Sequence, residues 1–259
     1  MSIARSRADG LTSSATPTCS PTGRNVFYRH FHGKQEAFIA AQRHAVEDGY
    51  RESSDSWAEL LRDLKARGMS EPKLVTGDGA LGMWSALRDV FAHAREQRCW
   101  VHKTANVLDA LPKRAQPQAK RMLHEIVQAA TRKDASRAID AFACEFEPKW
   151  PKAAAKLTKD REQLLAFYDF PAEHWRHVRT TNPIESSFAT VKLRTRVTKG
   201  AGSKDAALAM AYKLLDAAQE RWRAFNGAEL VKELLDGATF KDGIKVTHDE
   251  TTTDERVAA

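Results

Sequence analysis

The stretch Lys73-Leu-Val-Thr-Gly-Asp78-Gly-Ala-Leu-Gly82-Met-Trp84 restricts the folds open to this chain more than any other. Leu74 and Val75 suit a short buried strand, Gly77 and Gly79 permit a sharp turn, and Ala80, Met83, Trp84, Leu87 and Phe91 recur at helical spacing. A strand that turns through glycine into a helix belongs to an α/β frame. It sets Asp78 at the carboxyl end of the strand, where the ligands of open α/β sheets collect. The plainer alternative is that Asp78 caps the following helix, a task Asp performs well.

The flanking sequence extends the frame. Ser56 with Glu59 has the spacing of a capping box, and Trp57, Leu60, Leu61 and Leu64 form one apolar stripe ending at Gly68, which predicts a helix. Arg95 to His102 reads as a second strand ending at His102, followed by a helix through Thr104, Val107, Leu108 and Leu111 that stops at Pro112. From Ala115 to Phe170 the pattern is purely helical. One stripe holds Ala119, Met122, Leu123, Ile126 and Val127, a second Ala135, Ala138, Ile139, Phe142 and Phe146, and Leu157, Leu164, Leu165 and Tyr168 suggest a third. The segment 171–182 carries His174, Trp175 and His177, a helix opens at Asn182-Pro-Ile-Glu185, and a last one spans about Lys204 to Phe225.

The two ends read differently. Residues up to Arg24 are dominated by Ser, Thr, Pro, Gly and Arg and predict disorder. The Tyr28-x-x-Phe31 stretch resembles the end of the recognition helix in tetracycline-repressor-type regulators, but the helices that should precede it are missing, so no DNA-reading role follows. Beyond Lys241 the polar, threonine-rich sequence predicts a frayed tail.

The chain's 259 residues can bury one large core or two small ones. No apolar run reaches the ~18 residues of a membrane helix and the first ten residues lack a signal-peptide core, so the expected location is cytoplasmic and no membrane partner is expected. Cys19, Cys99 and Cys144 are an odd, scattered set, which suits a reducing compartment. A formal charge of +7 favours a polyanionic partner.

Asp78 and Glu185, far apart in sequence, could together hold Mg²⁺, which prefers hard oxygen ligands. For Glu185 the alternative is a capping box with Asn182 at the N-cap and Pro183 at the first helical position. Cys99-x-x-His102 offers only two of the four ligands of a zinc site, so it reads either as a buried strand cysteine with a strand-end histidine or as a substrate contact. Lys192, Arg194, Arg196, Lys199 and Lys204, with no acid among them and Gly200 and Gly202 loosening the backbone, suit phosphate contact along one face leading to the acids; the alternative is a solvated surface.

Taken in order, these residues resemble the Mutator-type insertion-sequence transposases. The likeness runs from about Glu47 to Lys245 through Asp48-Gly-Tyr-Arg-Glu-Ser53, Gly77-Asp78-Gly-Ala-Leu-Gly82, Gln97-Arg-Cys99-Trp-Val-His102-Lys103-Thr-Ala-Asn106, Leu165-Ala-Phe-Tyr-Asp-Phe-Pro171 and Thr181-Asn-Pro-Ile-Glu185-Ser. The resemblance implies a helix-rich α/β fold: a ribonuclease H-like catalytic core, here with an incomplete sheet, and an all-helical insertion domain. It divides the chain into a divergent segment 1–46, a first part of the core 47–111, the insertion 112–173, the rest of the core 174–225 and an extension 226–259. It implies Mg²⁺ or Mn²⁺ as cofactor and DNA, both transposon ends and target, as partner, and it allows a homo-oligomer. Asp78 matches the second of the family's three catalytic and metal-binding acids and Glu185 the third. Cys99, His102, Lys103 and Asn106, with the basic run, are the implied nucleic-acid contacts. The first acid has no counterpart within an apolar strand upstream of Asp78, which implies a truncated or rearranged polypeptide with impaired strand transfer; the alternative is a catalytically inactive DNA-binding or transposase-interacting remnant.

Overall fold

The computed structural model describes residues 53–219 and 226–246. The readings of residues 1–52, including Cys19, the Tyr28 stretch and Asp48, fall outside the described residues, as do Trp222, Phe225 and the chain from 247 onward.

Helix α1 (Ser54–Ala66) begins three residues earlier than the expected capping box: Ser53 rather than Ser56 is the N-cap, and its side chain accepts the amide of Ser56. Strand β1 (Leu74–Gly77), helix α2 (Leu81–Val90) and strand β2 (Arg95–Arg98) follow, and the strands pair in parallel with Leu74 opposite Arg95 and Gly77 opposite Arg98. Helix α1 packs on α2 around Ala58, Trp84, Ala86, Leu87, Val90 and Phe91; Trp84, Leu87 and Phe91 belong to the stripe expected from the spacing, and the expected Trp57, Leu61 and Met83 pack against this core partly buried.

Strand β2 is shorter than the sequence suggests. It stops at Arg98, Cys99 is the N-cap of helix α3 (Trp100–Leu108), and His102 therefore lies in the first turn of that helix instead of at a strand end. Trp100, Lys103 and Val107 are buried at helical spacing, so this apolar segment has the 3.6-residue period of a helix from Trp100 onward.

The helical block consists of α4 (Gln116–Gln128), α5 (Arg132–Phe146), α6 (Pro151–Thr158), α7 (Arg161–Leu165) and a 3₁₀ turn (Ala166–Asp169). The expected third helix is thus split in two and ends in the 3₁₀ turn. Leu123, Ile126, Ile139, Phe142, Phe146, Leu157, Leu164, Phe167 and Tyr168 form the larger core, in which the rings of Phe142 and Phe146 stack at 4.5 Å. Gln97, fully buried, ties the sheet to this core by donating to the carbonyls of Arg98 and Leu164 and accepting the amide of Phe167.

Helices α8 (Ala172–Val178), α9 (Asn182–Val197), α10 (Lys204–Gln219) and α11 (Ala228–Leu235) come next. The chain beyond Lys241 is not frayed at its start. Phe240–Lys241 and Ile244–Lys245 make a short antiparallel hairpin, and the hairpin docks where the Gly243 amide donates to the Tyr168 carbonyl at 3.1 Å and Asp242 accepts the Arg132 amide at 2.6 Å. Phe240, 7% exposed, supplies its apolar anchor. The described residues thus form a helix-rich α/β arrangement with two two-stranded sheets, and among them no helix is long and apolar enough to cross a membrane.

Candidate functional site

Asp78 follows the last residue of β1 and is exposed. Its Oδ1 accepts the amide of Ala80 at 3.1 Å, closing a turn ahead of α2. The N-cap of α2 is Ala80, so Asp78 stands outside the helix rather than capping it. Gly79 has φ +101°, a left-handed conformation that favours glycine, and a Cβ there would coincide with the Arg98 guanidinium.

Cys99 joins this turn to a distant part of the chain. Its amide donates to the carbonyl of Gly77 at 2.8 Å, continuing the β1–β2 ladder to the residue before Asp78. Its sulfur, in a residue only 1% exposed, accepts from the Thr181 amide at 3.4 Å and the Thr181 hydroxyl at 3.3 Å. Two further bonds reinforce the junction: the Trp100 amide donates to the Arg179 carbonyl at 3.0 Å, and the Thr76 hydroxyl donates to the Val178 carbonyl. Burial pushes the Cys99 thiol up, but hydrogen bonds from His102 and Thr181 outweigh it and bring the pKa from 9.0 down to about 7.

Thr181 is the N-cap of α9 and makes no side-chain cap bond to that helix, because its hydroxyl is turned toward Cys99, with His102 Nδ1 at 3.5 Å. The helix therefore begins one residue earlier than the expected capping box: Asn182 is its first residue and Pro183 its second. Glu185 is the fourth residue of α9, and its side chain lies outside the described residues. The start of α9 is thus held against the strand end that carries Asp78 through the path Gly77, Cys99, Thr181.

The residues expected to contact nucleic acid differ widely in exposure. Cys99 is buried and its sulfur is used internally. Lys103, expected to face DNA, is 3% exposed and donates to Asp160 and to the Lys156 carbonyl; burial lowers its pKa. Asn106 is exposed, and its carbonyl accepts from Lys156. His102 is half-buried. Lys192, Arg194, Arg196 and Lys199 are all exposed. They do not share one face: at about 100° per residue, Lys192 and Arg196 align while Arg194 points roughly 200° away from Lys192, and Lys199 lies past the helix end with φ +54°.

Sequence reasoning passed over three residues here, Arg98, Asp160 and Thr181. Thr181 adjoins the Asn-Pro-Ile-Glu motif and Arg98 adjoins Cys99, so each had a neighbour that drew attention. Asp160 lies in a polar helix connection and carries no signal at all. Among the described residues no group of three or more His, Cys, Asp or Glu stands close enough to hold a metal ion.

Comparison with known proteins places this sequence in a family. A sequence model described as Transposase, Mutator family, matches residues 44–224. The transposase for insertion sequence element IS6120 of Mycolicibacterium smegmatis is 59% identical over 77% of this chain and 62% of its own length. The transposase for insertion sequence element IST2 of Acidithiobacillus ferrooxidans is 54% identical over 77% of this chain and 68% of its own length. The transposase for insertion sequence element IS1081 of Mycobacterium tuberculosis is 34% identical over 56% of this chain and 35% of its own length. The chain therefore spans less than two thirds of the length of the Mycolicibacterium relative, and it belongs to the Mutator family of transposases.

Proposed function

We propose that this chain is a DNA transposase polypeptide of the ribonuclease H-like, metal-dependent class, in which Asp78 and Glu185 serve as divalent-ion ligands beside a DNA backbone. The observation that carries the reading is the junction at Cys99. Hydrogen bonds from one residue hold the end of β1, which presents Asp78, against the start of α9, which contains Glu185. This junction supports the reading because it links the strand end before Asp78 to the helix start before Glu185 through a single residue.

The donor set fits Mg²⁺ or Mn²⁺ in kind, since carboxylate oxygens are the hard ligands these ions take. Asp78 is exposed and uses one oxygen on the Ala80 amide, an arrangement that fixes the carboxylate without burying it. When bound, the ions supply the Lewis acidity for phosphodiester cleavage and for joining a DNA 3′ end to target DNA. The chain's own residues position: Gly77 and Cys99 fix the strand end, Thr181 fixes the helix start, and Lys192 and Arg196 present cations along one side of α9 for the DNA backbone. A membrane partner has no place in this scheme, and a second copy of the chain is compatible with it.

Two carboxylates are one fewer than the resemblance implies for the family's site. That favours a second reading, a polypeptide that binds DNA and cuts poorly or not at all. Mn²⁺ binding followed by electron paramagnetic resonance, together with strand transfer on DNA bearing terminal repeats, tests both. On the first reading, Asp78→Asn and Glu185→Gln each weaken ion binding and abolish any joining. Ion binding that neither variant alters overturns the assignment of these ligands. Wild-type DNA binding without detectable joining supports the second reading.

A further inference from the structure

We propose that Arg98 is a phosphate-binding residue of the Asp78 turn, its guanidinium taking an oxygen of a DNA phosphodiester next to that carboxylate. The inference rests on the reading of Asp78 as a DNA-processing residue. Arg98 ends β2 directly opposite Gly77 and is 9% exposed. Its guanidinium occupies the space a side chain at position 79 would fill, so the planar fork lies on the backbone of the residue that follows Asp78. Nε is 3.2 Å from Asp160 Oδ2 but lacks the alignment of a hydrogen bond. Among the described residues, neither Nη1 nor Nη2 donates a hydrogen bond.

The local charge balance points the same way. Arg98 and Lys103 share the carboxylate of Asp160, whose Oδ2 is 3.2 Å from Arg98 Nε and 2.5 Å from Lys103 Nζ. The Lys103 ammonium donates to Asp160 and to the Lys156 carbonyl, so Lys103 is the cation that Asp160 holds by hydrogen bond. Asp160 is shared with Lys103 and meets Arg98 only at Nε, so a phosphodiester anion, which an arginine fork can grip through two donors, adds a partner on the open side of the guanidinium. A clamp between the turn and the helical block would not require this arrangement, because Asp160 stays neutralised by Lys103 when Arg98 is removed.

The test uses the full chain and a fluorescent mixed-sequence DNA duplex, followed by anisotropy over a range of salt concentrations without added metal, with thermal melting of each protein alongside. Arg98→Gln is expected to flatten the slope of log affinity against log salt by about 0.9, the loss of one phosphate contact. A variant that melts lower but keeps the wild-type slope overturns the proposal and leaves Arg98 as a clamp. Where Arg98→Gln does not fold, Arg98→Lys decides: it keeps the charge and the Asp160 pairing but loses the fork, so several-fold weaker binding supports the proposal and unchanged binding overturns it. A wild-type protein with no salt-dependent DNA binding overturns the underlying DNA-processing reading and this proposal with it, whereas intact wild-type binding with an unmoved Arg98→Gln slope overturns the Arg98 assignment alone.

Discussion

Replacing Cys99 by alanine removes the sulfur that links the Asp78 strand end to the start of α9, and the cost can be worked from its surroundings. The residue is 1% exposed, so deleting the sulfur loses about 1 kcal/mol of burial, comparable to one methylene. The Thr181 amide and hydroxyl, at 3.4 and 3.3 Å, lose their acceptor. In a partly buried setting this adds about 1 kcal/mol. The total of about 2 kcal/mol corresponds to a fall in Tm of roughly 4–8 °C for a chain of this size. Urea denaturation of Cys99→Ala, Thr181→Val and the double variant separates the shared part, since the two side chains touch and their effects are expected to be less than additive by 0.5 kcal/mol or more. Where strand transfer is measurable, displacing the start of α9 by about 1 Å costs roughly a hundredfold in rate. A Cys99→Ala protein as stable as wild type, or strictly additive effects in the cycle, would refute the junction as the element that joins these two segments.

Because folding lowers the Cys99 pKa from 9.0 to about 7, its contribution to stability is complete above pH 9, declines as pH falls and is gone below about pH 7. Wild type should therefore gain on Cys99→Ser across that interval by an amount of order 2 kcal/mol, read as a shift in urea midpoint; a constant difference contradicts the assigned shift. Asp160→Ala leaves the buried Lys103 ammonium without its carboxylate, and removal of one partner from a buried pair is expected to cost about 3–5 kcal/mol, measured by the same denaturation. Gly79→Ala and Gly68→Ala both place alanine at positive φ, +101° and +98°. Each carries about 1–2 kcal/mol of backbone strain. Only position 79 also displaces Arg98, so Gly79→Ala should melt well below Gly68→Ala, and equal melting temperatures would show that the guanidinium is not seated on the turn.

Local pattern made much of the fold legible. The Leu74-Val75 strand, its glycine turn, the Trp84-Leu87-Phe91 stripe and the stripes of α4 and α5 are written in residues a few positions apart, where the helical and strand periods act directly. Errors arose where local signals competed. Cys99-Trp-Val has the apolar look of a strand, but burial of Trp100, Lys103 and Val107 at helical spacing makes it the beginning of α3. Thr181 precedes Asn182, and of two adjacent capping residues the structure uses the first as N-cap, with its hydroxyl bound to Cys99. Ile244 is 74% exposed, and no core pattern foretold the hairpin that Gly243 and Asp242 anchor.

By itself the amino-acid sequence determined the α/β beginning, the helical block, the placement of Asp78 at a strand end and the family. Tertiary structure alone decided that Cys99 binds Thr181, that Arg98 rests on Gly79 beside Asp78, and that Lys103 is spent on Asp160. Periodicity records which face of an element is buried but not which distant residue it will meet. Those meetings are fixed when packed elements close together, so a site built from them becomes readable only once the chain has folded.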